Sequence, residues 1–139
     1  MRLKNDGRFV LDAGALIEFV DGAAGAKRVR EILGDTFHER AIAIMSVVHW
    51  GEVMYCIWER HGEEHARSTM ANLSRLPIEL VPVDLALVYK ASELKVLHKI
   101  PFVDCMAAAL AEIRDAFLVT SDRHFERLGR RVKMLWLPR

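Results

Sequence analysis

Apolar residues follow two rhythms along the chain, short β-type runs and longer stretches with helical spacing, and their alternation predicts the elements. Phe9-Val10-Leu11 reads as a strand ending at Asp12, and residues 13–20 continue with helical spacing. A second helix is predicted over 24–33, where Val29, Ile32 and Leu33 share a face and Gly34-Asp35 closes it. The next strand is 41–45, followed by Ser46 as N-cap of a helix running through Glu52 to about Arg60. A helix over 62–76 stops at Pro77, and 78–83 is a short strand whose Pro82 puts its end at a sheet edge or outside the ladder. Residues 84–97 read as a helix with Leu87, Ala91, Leu94 and Leu97 facing inward and Val88 beside them. Ile100-Pro101 breaks it before another helix over 102–114. A strand over 116–120, a short helix over 122–128 closed by Gly129 and a final strand over 132–137 complete the chain. Strands interleaved with helices in this way call for crossover connections, hence a largely parallel five-stranded sheet with helices on both faces, a three-layer α/β fold.

Composition narrows the class. The 139 residues are 52% hydrophobic and 28% charged, with 20 Lys+Arg against 19 Asp+Glu. That suits a single domain over 1–139, with residues 1–7 as a flexible N-terminal extension, and excludes a disordered tail. No uncharged run approaches the ~20 residues of a spanning helix. The basic N-terminus leads into an apolar run that carries acids and lacks a small-residue cleavage site, so the expected location is cytoplasmic. The two cysteines, Cys56 and Cys105, have helical flanks and read as small core residues rather than a disulfide framework. A net charge of +1 argues against a general polybasic binder.

In an open α/β sheet a ligand site lies beyond the carboxyl ends of the strands. Asp12 and Asp122 follow strands directly, Asp104 lies in the first turn of the helix after Pro101, and Glu52 is nearly two turns into its helix. Each of the aspartates also suits a helix cap or the positive end of a helix dipole. Glu52 is different, because Val48, Trp50, Val53 and Met54 surround it in sequence. If the four carboxylates converge, two charges ~4 Å apart repel by about 4 kcal/mol at an effective dielectric near 20, and the cluster needs a cation. Oxygen donors without a clear His or Cys partner favour Mg²⁺ or Mn²⁺ over Zn²⁺. A carboxylate-held ion with open positions suits attack of a metal-activated water on a phosphodiester.

At these residues the chain resembles the PIN domain family, and in size and motif order the VapC-type toxin ribonucleases. Phe9-Val10-Leu11-Asp12-Ala13 is similar to the family's first motif, a strand ending in the first acid. Ser46-Val47-Val48-His49-Trp50-Gly51-Glu52-Val53 resembles the second, a Ser followed by a helical Glu. Ile100 to Ala109, with Asp104 opening an alanine-rich helix, resembles the third, and Thr120-Ser121-Asp122-Arg123-His124-Phe125 the fourth. The resemblance runs from about Arg8 to Leu137. It implies Mg²⁺-dependent endonucleolytic cleavage of RNA, with Asp12, Glu52, Asp104 and Asp122 as catalytic and metal-holding acids and Thr120 as a supporting polar group. It also implies a cognate antitoxin covering the acidic groove, and a homodimer. One departure is Gly14, which stands where many relatives have Ser or Asn.

Other constellations carry less. His61-Gly62-Glu63-Glu64-His65 fits the H-x-x-E-H pattern of some zinc peptidases, but its flanks read as a solvated helix and no further ligand is evident. There is no Gly-rich phosphate loop and no G-x-S-x-G elbow. A D-x-D phosphotransferase is excluded by Ala13-Gly14 after Asp12. RNA phosphates beside an acidic edge require cations, and Arg123, Arg127, Arg130, Arg131, Lys133, Lys95, His98 and Lys99 are the candidates. The alternatives to a toxin are a PIN-fold module that binds RNA or protein without cleaving it, and an RNA-maturation nuclease.

Overall fold

Alternation along the strands decides which helices lie on which face of the sheet. The computed structural model describes residues 7–139. The strands are β1 (Arg8–Leu11), β2 (Ile42–Ser46), β3 (Ile78–Val81), β4 (Phe117–Thr120) and β5 (Met134–Trp136), all parallel, in the order β3-β2-β1-β4-β5. Successive side chains of a strand point to opposite faces, so Val10, Ile44 and Leu118 pack on one side. There they meet α5 (Leu85–His98) and α6 (Phe102–Ile113), including the buried run from Cys105 to Ala111. Phe9, Leu11, Ala43 and Val119 face the other side, against α1 (Ala13–Asp21) and α2 (Ala26–Phe37). On that side too, α3 (Val47–His61) and α4 (Glu63–Leu73) close over Leu16 and Met45. The expected three-layer α/β fold is the one observed.

Several predicted boundaries move, for identifiable reasons. Gly34 does not end α2: it lies on the exposed side, and the helix runs on to Phe37 with the Thr36 hydroxyl donating to the Ile32 carbonyl at 2.9 Å. A solvent-facing glycine costs a helix only about 1 kcal/mol. Leu97 faces water, 57% exposed, while Leu87, Ala91 and Leu94 face inward. Pro82 lies just beyond β3, which is an edge strand. The last helical segment is a 3-10 helix, Arg123–Leu128, closed by Gly129. Cys105 is buried, Cys56 half-buried, and both are free thiols. Of the expected N-terminal extension, residues 1–6 lie outside the described residues, while Gly7 is buried against the Arg40 carbonyl. Among the described residues no helix is long and apolar enough to cross a membrane.

The strand order places a topological switch between β1 and β4: the chain moves outward from β1 to β2 and β3, then returns to build β4 and β5 on the other side. Loops diverge at such a point and leave a crevice at the carboxyl edge. Asp12 follows β1 there, and Ser121-Asp122 follow β4.

Candidate active site

Asp12 caps α1. Its Oδ1 accepts the Ala15 N–H at 2.7 Å, and its Oδ2 accepts the Thr120 hydroxyl at 2.5 Å. The Thr120 oxygen in turn accepts the Asp122 N–H at 2.9 Å, so one buried hydroxyl joins the first acid to the backbone of the fourth. Asp12 is only 9% exposed, and burial pushes its carboxyl up to about 7. The Thr120 and Ala15 bonds pull it down, and the Asp104 and Asp122 charges push it further up.

The other three acids arrive from separate helices. Asp104 lies in the first turn of α6, and burial and then the Asp122 charge raise its pKa, with His124 opposing them. Asp122 caps the 3-10 helix by accepting the His124 N–H at 2.9 Å. Glu52 is half-buried on α3, raised first by burial and then by Asp104, with the Tyr55 hydroxyl 3.4 Å from its Oε2 partly offsetting this. Asp104 is thus the common neighbour: it acts electrostatically on Asp12 and Glu52 and is itself raised by Asp122. The four acids singled out in the sequence come together at one edge.

A tighter trio sits within this group. One ligand atom each from Asp104, Asp122 and His124 lies within 4.8 Å of the others. The His124 Nδ1 is 3.2 Å from Asp122 Oδ1 and 3.9 Å from Asp104 Oδ2. Among the described residues, no lysine or arginine pairs with any of the four acids. Carboxylates that raise one another and lack a strong cation have the electrostatics that a divalent ion relieves.

Residues 9–131 match the PIN domain. The chain belongs to the PIN domain family. This PIN domain is similar in fold to VapBC2 from Rickettsia felis bound to a promoter DNA fragment, at 15% identity over 94% of this chain and 99% of that one, with a TM-score of 0.74. It is similar also to DNA-bound VapBC from Salmonella typhimurium, at 18% identity over 92% and 96% of the two chains and a TM-score of 0.72. A third likeness is VapC20 of Mycobacterium tuberculosis, a toxin that cleaves the sarcin-ricin loop, at 20% identity over 87% and 95%, with a TM-score of 0.68. No curated protein matches the chain.

Three residues of the PIN domain site stand outside the acids read from the sequence. Glu18 accepts the Ser121 hydroxyl at 2.6 Å and the Gly25 N–H at 3.0 Å, so α1 holds the residue between Thr120 and Asp122. Its only signal in the sequence is an acid inside an apolar run. His124 lies in the fourth motif, but its place beside two aspartates depends on the turn that Asp122 caps. His49 is buried, and its Nε2 is 2.9 Å from the Val103 carbonyl; burial lowers its pKa, with the carbonyl opposing.

The cations divide. Arg131 pairs with Glu93 and Glu112, and Lys133 with Asp115, so both serve the surface away from the acids. Lys95 donates to the Ile100 carbonyl, Arg127 to the Lys99 carbonyl, and His98 Nδ1 lies 3.1 Å from the Arg127 carbonyl. Arg123, next to Asp122, stacks on Trp136 at 4.5 Å. The zinc-peptidase pattern is not built: His61 ends α3, Gly62 turns the chain at φ 91°, and His65 lies on α4, so although the two exposed rings approach to 5.1 Å, no third ligand joins them among the described residues.

Proposed function

We propose that this PIN domain is a divalent-metal-dependent endoribonuclease, the toxin of a toxin–antitoxin pair. The observation that carries the reading is that Asp104 acts electrostatically on both Asp12 and Glu52 and is itself raised by Asp122, while among the described residues no lysine or arginine pairs with any of the four. These four would hold Mg²⁺, with Mn²⁺ as a substitute. When bound, the ion supplies Lewis acidity and an activated water for hydrolysis of the phosphodiester. Asp12 is held from both sides by Ala15 and Thr120, so its carboxylate needs no reorientation to receive a cation. Asp104, at the N-terminal turn of α6, has the helix dipole to favour its ionised form. Arg123, Arg127 and Lys99 are the cations available for RNA phosphates near the acids.

The likeness to VapBC complexes, and to a toxin that cleaves the sarcin-ricin loop, supports a toxin with an RNA substrate and a cognate antitoxin as partner; a cytoplasmic location and a homodimeric state complete the proposal. Residues 1–139 would form a single nuclease domain. The decisive assay incubates the full chain with RNA in Mg²⁺ or EDTA, beside Glu52→Gln and Asp104→Asn. The expected result is Mg²⁺-dependent cleavage that each variant lowers on the order of 100-fold or more. Cleavage that persists unchanged in both variants refutes the enzymatic reading. Growth arrest on expression, relieved by the product of a small adjacent gene, distinguishes a toxin from an RNA-maturation nuclease.

A further inference from the structure

We propose that His49 is a positioning residue that sets the spacing between Glu52 and Asp104; this rests on the nuclease reading above. Its Nε2 lies 2.9 Å from the Val103 carbonyl and 3.8 Å from Glu52 Oε1. Val103 and Asp104 share a peptide unit, so the ring pins the backbone immediately before Asp104 while lying against the carboxylate of Glu52. The bond spans 54 residues and joins the first turn of α3 to the first turn of α6. Repulsion between the two carboxylates works against the close approach of the helices that bear them, and the His49–Val103 hydrogen bond, beside the packing of Val48 and Val103 on the same core, holds those helices together.

The proton assignment follows from the partners. A carbonyl can only accept, so Nε2 carries the hydrogen and Nδ1 is bare. That bare nitrogen is buried without a hydrogen-bond partner, in a side chain only 2% exposed. An apolar side chain of similar volume would fill the space without stranding a polar atom. Packing therefore does not account for an imidazole here; the bond to Val103 does.

The test measures Mn²⁺ binding by calorimetry, with the Mg²⁺ dependence of RNA cleavage as a second readout and melting in EDTA as the control for folding. His49→Phe and His49→Met keep bulk and lose the donor, and His49→Gln keeps an N–H at comparable reach. Folded Phe or Met variants are expected to bind Mn²⁺ about 10- to 100-fold more weakly, as when a group supporting a metal ligand is lost. Their half-maximal Mg²⁺ concentration should rise more than the rate at saturating Mg²⁺ falls, and His49→Gln should recover most of the affinity. Wild-type Mn²⁺ affinity in a folded Phe or Met variant, with affinity lost in Asp104→Asn, overturns the role of His49 and leaves the nuclease reading standing. Unchanged affinity in Asp104→Asn overturns both. In the wild-type protein, imidazole nitrogen NMR should find the His49 proton on Nε2, and a ring protonated on Nδ1 alone overturns the proposal whatever the variants do.

Discussion

Replacing Asp12 with Asn should make the metal-free protein more stable at pH 8 while removing the proposed nuclease activity. In the folded chain the Asp12 carboxyl titrates at about 7, against 3.8 when unperturbed. Between those values the folded state holds a proton that the unfolded state has released. The stabilisation from this difference is fully present below 3.8 and is lost as pH rises through about 7. At about 1.36 kcal/mol per pH unit, the gap sets an upper bound of about 4 kcal/mol lost at pH 8. Structural relaxation around a buried charge brings a realistic figure to about 2 kcal/mol. Asn caps a helix about as well as Asp and can still accept the Ala15 N–H, while its NH2 replaces the oxygen that accepted the Thr120 hydroxyl and can instead donate to the Thr120 oxygen, so the variant keeps the cap and escapes the titration. The expected gain in EDTA at pH 8 is roughly 5–10 °C in Tm, shrinking towards zero near pH 4. Thermal melts of the two proteins at both pH values, with Mg²⁺-dependent cleavage measured alongside, make the comparison. A variant less stable than wild type at pH 8, or a Tm difference indifferent to pH, refutes the reasoning.

Three further substitutions probe the supports of the site. Thr120→Val removes the donor to Asp12, in a buried bond, and the acceptor for the Asp122 N–H, in a part-buried one; urea denaturation should register a loss of about 1–3 kcal/mol, and Mn²⁺ binding at neutral pH should weaken as Asp12 shifts further up. Glu18→Ala leaves the Ser121 hydroxyl and the Gly25 N–H without their acceptor, and should cost about 1–2 kcal/mol in the same assay and reduce cleavage. Gly14→Ser should be accommodated, because a Cβ there meets only the Asp12 side chain, its nearest atom Oδ1 at an ordinary 3.5 Å; the helix should gain about 0.5 kcal/mol and Mn²⁺ binding should not weaken.

The sequence made the acids legible because their positions follow from local rules. A strand that ends at Asp12, a Ser that caps the helix of Glu52, and an Asp in the first turn after Pro101 can each be read within a few residues. Parallel pairing then carries them to the same edge. What could not be read depends on side chains meeting across long separations. Glu18 reaches Ser121 over 103 residues and His49 reaches Val103 over 54, and no periodicity encodes either. The misplaced end of α2 and the outward Leu97 have another cause: glycine and leucine are weak indicators of termination and burial where neighbouring elements decide what is covered.

The middle position of β1 has a consequence for how the molecule comes into being. Its flanking strands come from 42–46 on one side and from 117–120 on the other, and the Thr120–Asp12 bond closes a loop of 108 residues. Contacts between such distant segments form late and slowly. A half-formed copy therefore has Asp12 beside an open strand border, with neither the Thr120 hydroxyl nor the Asp122 cap in reach. Whatever the assembled pocket does to nucleic acid, an immature chain lacks the means to do it.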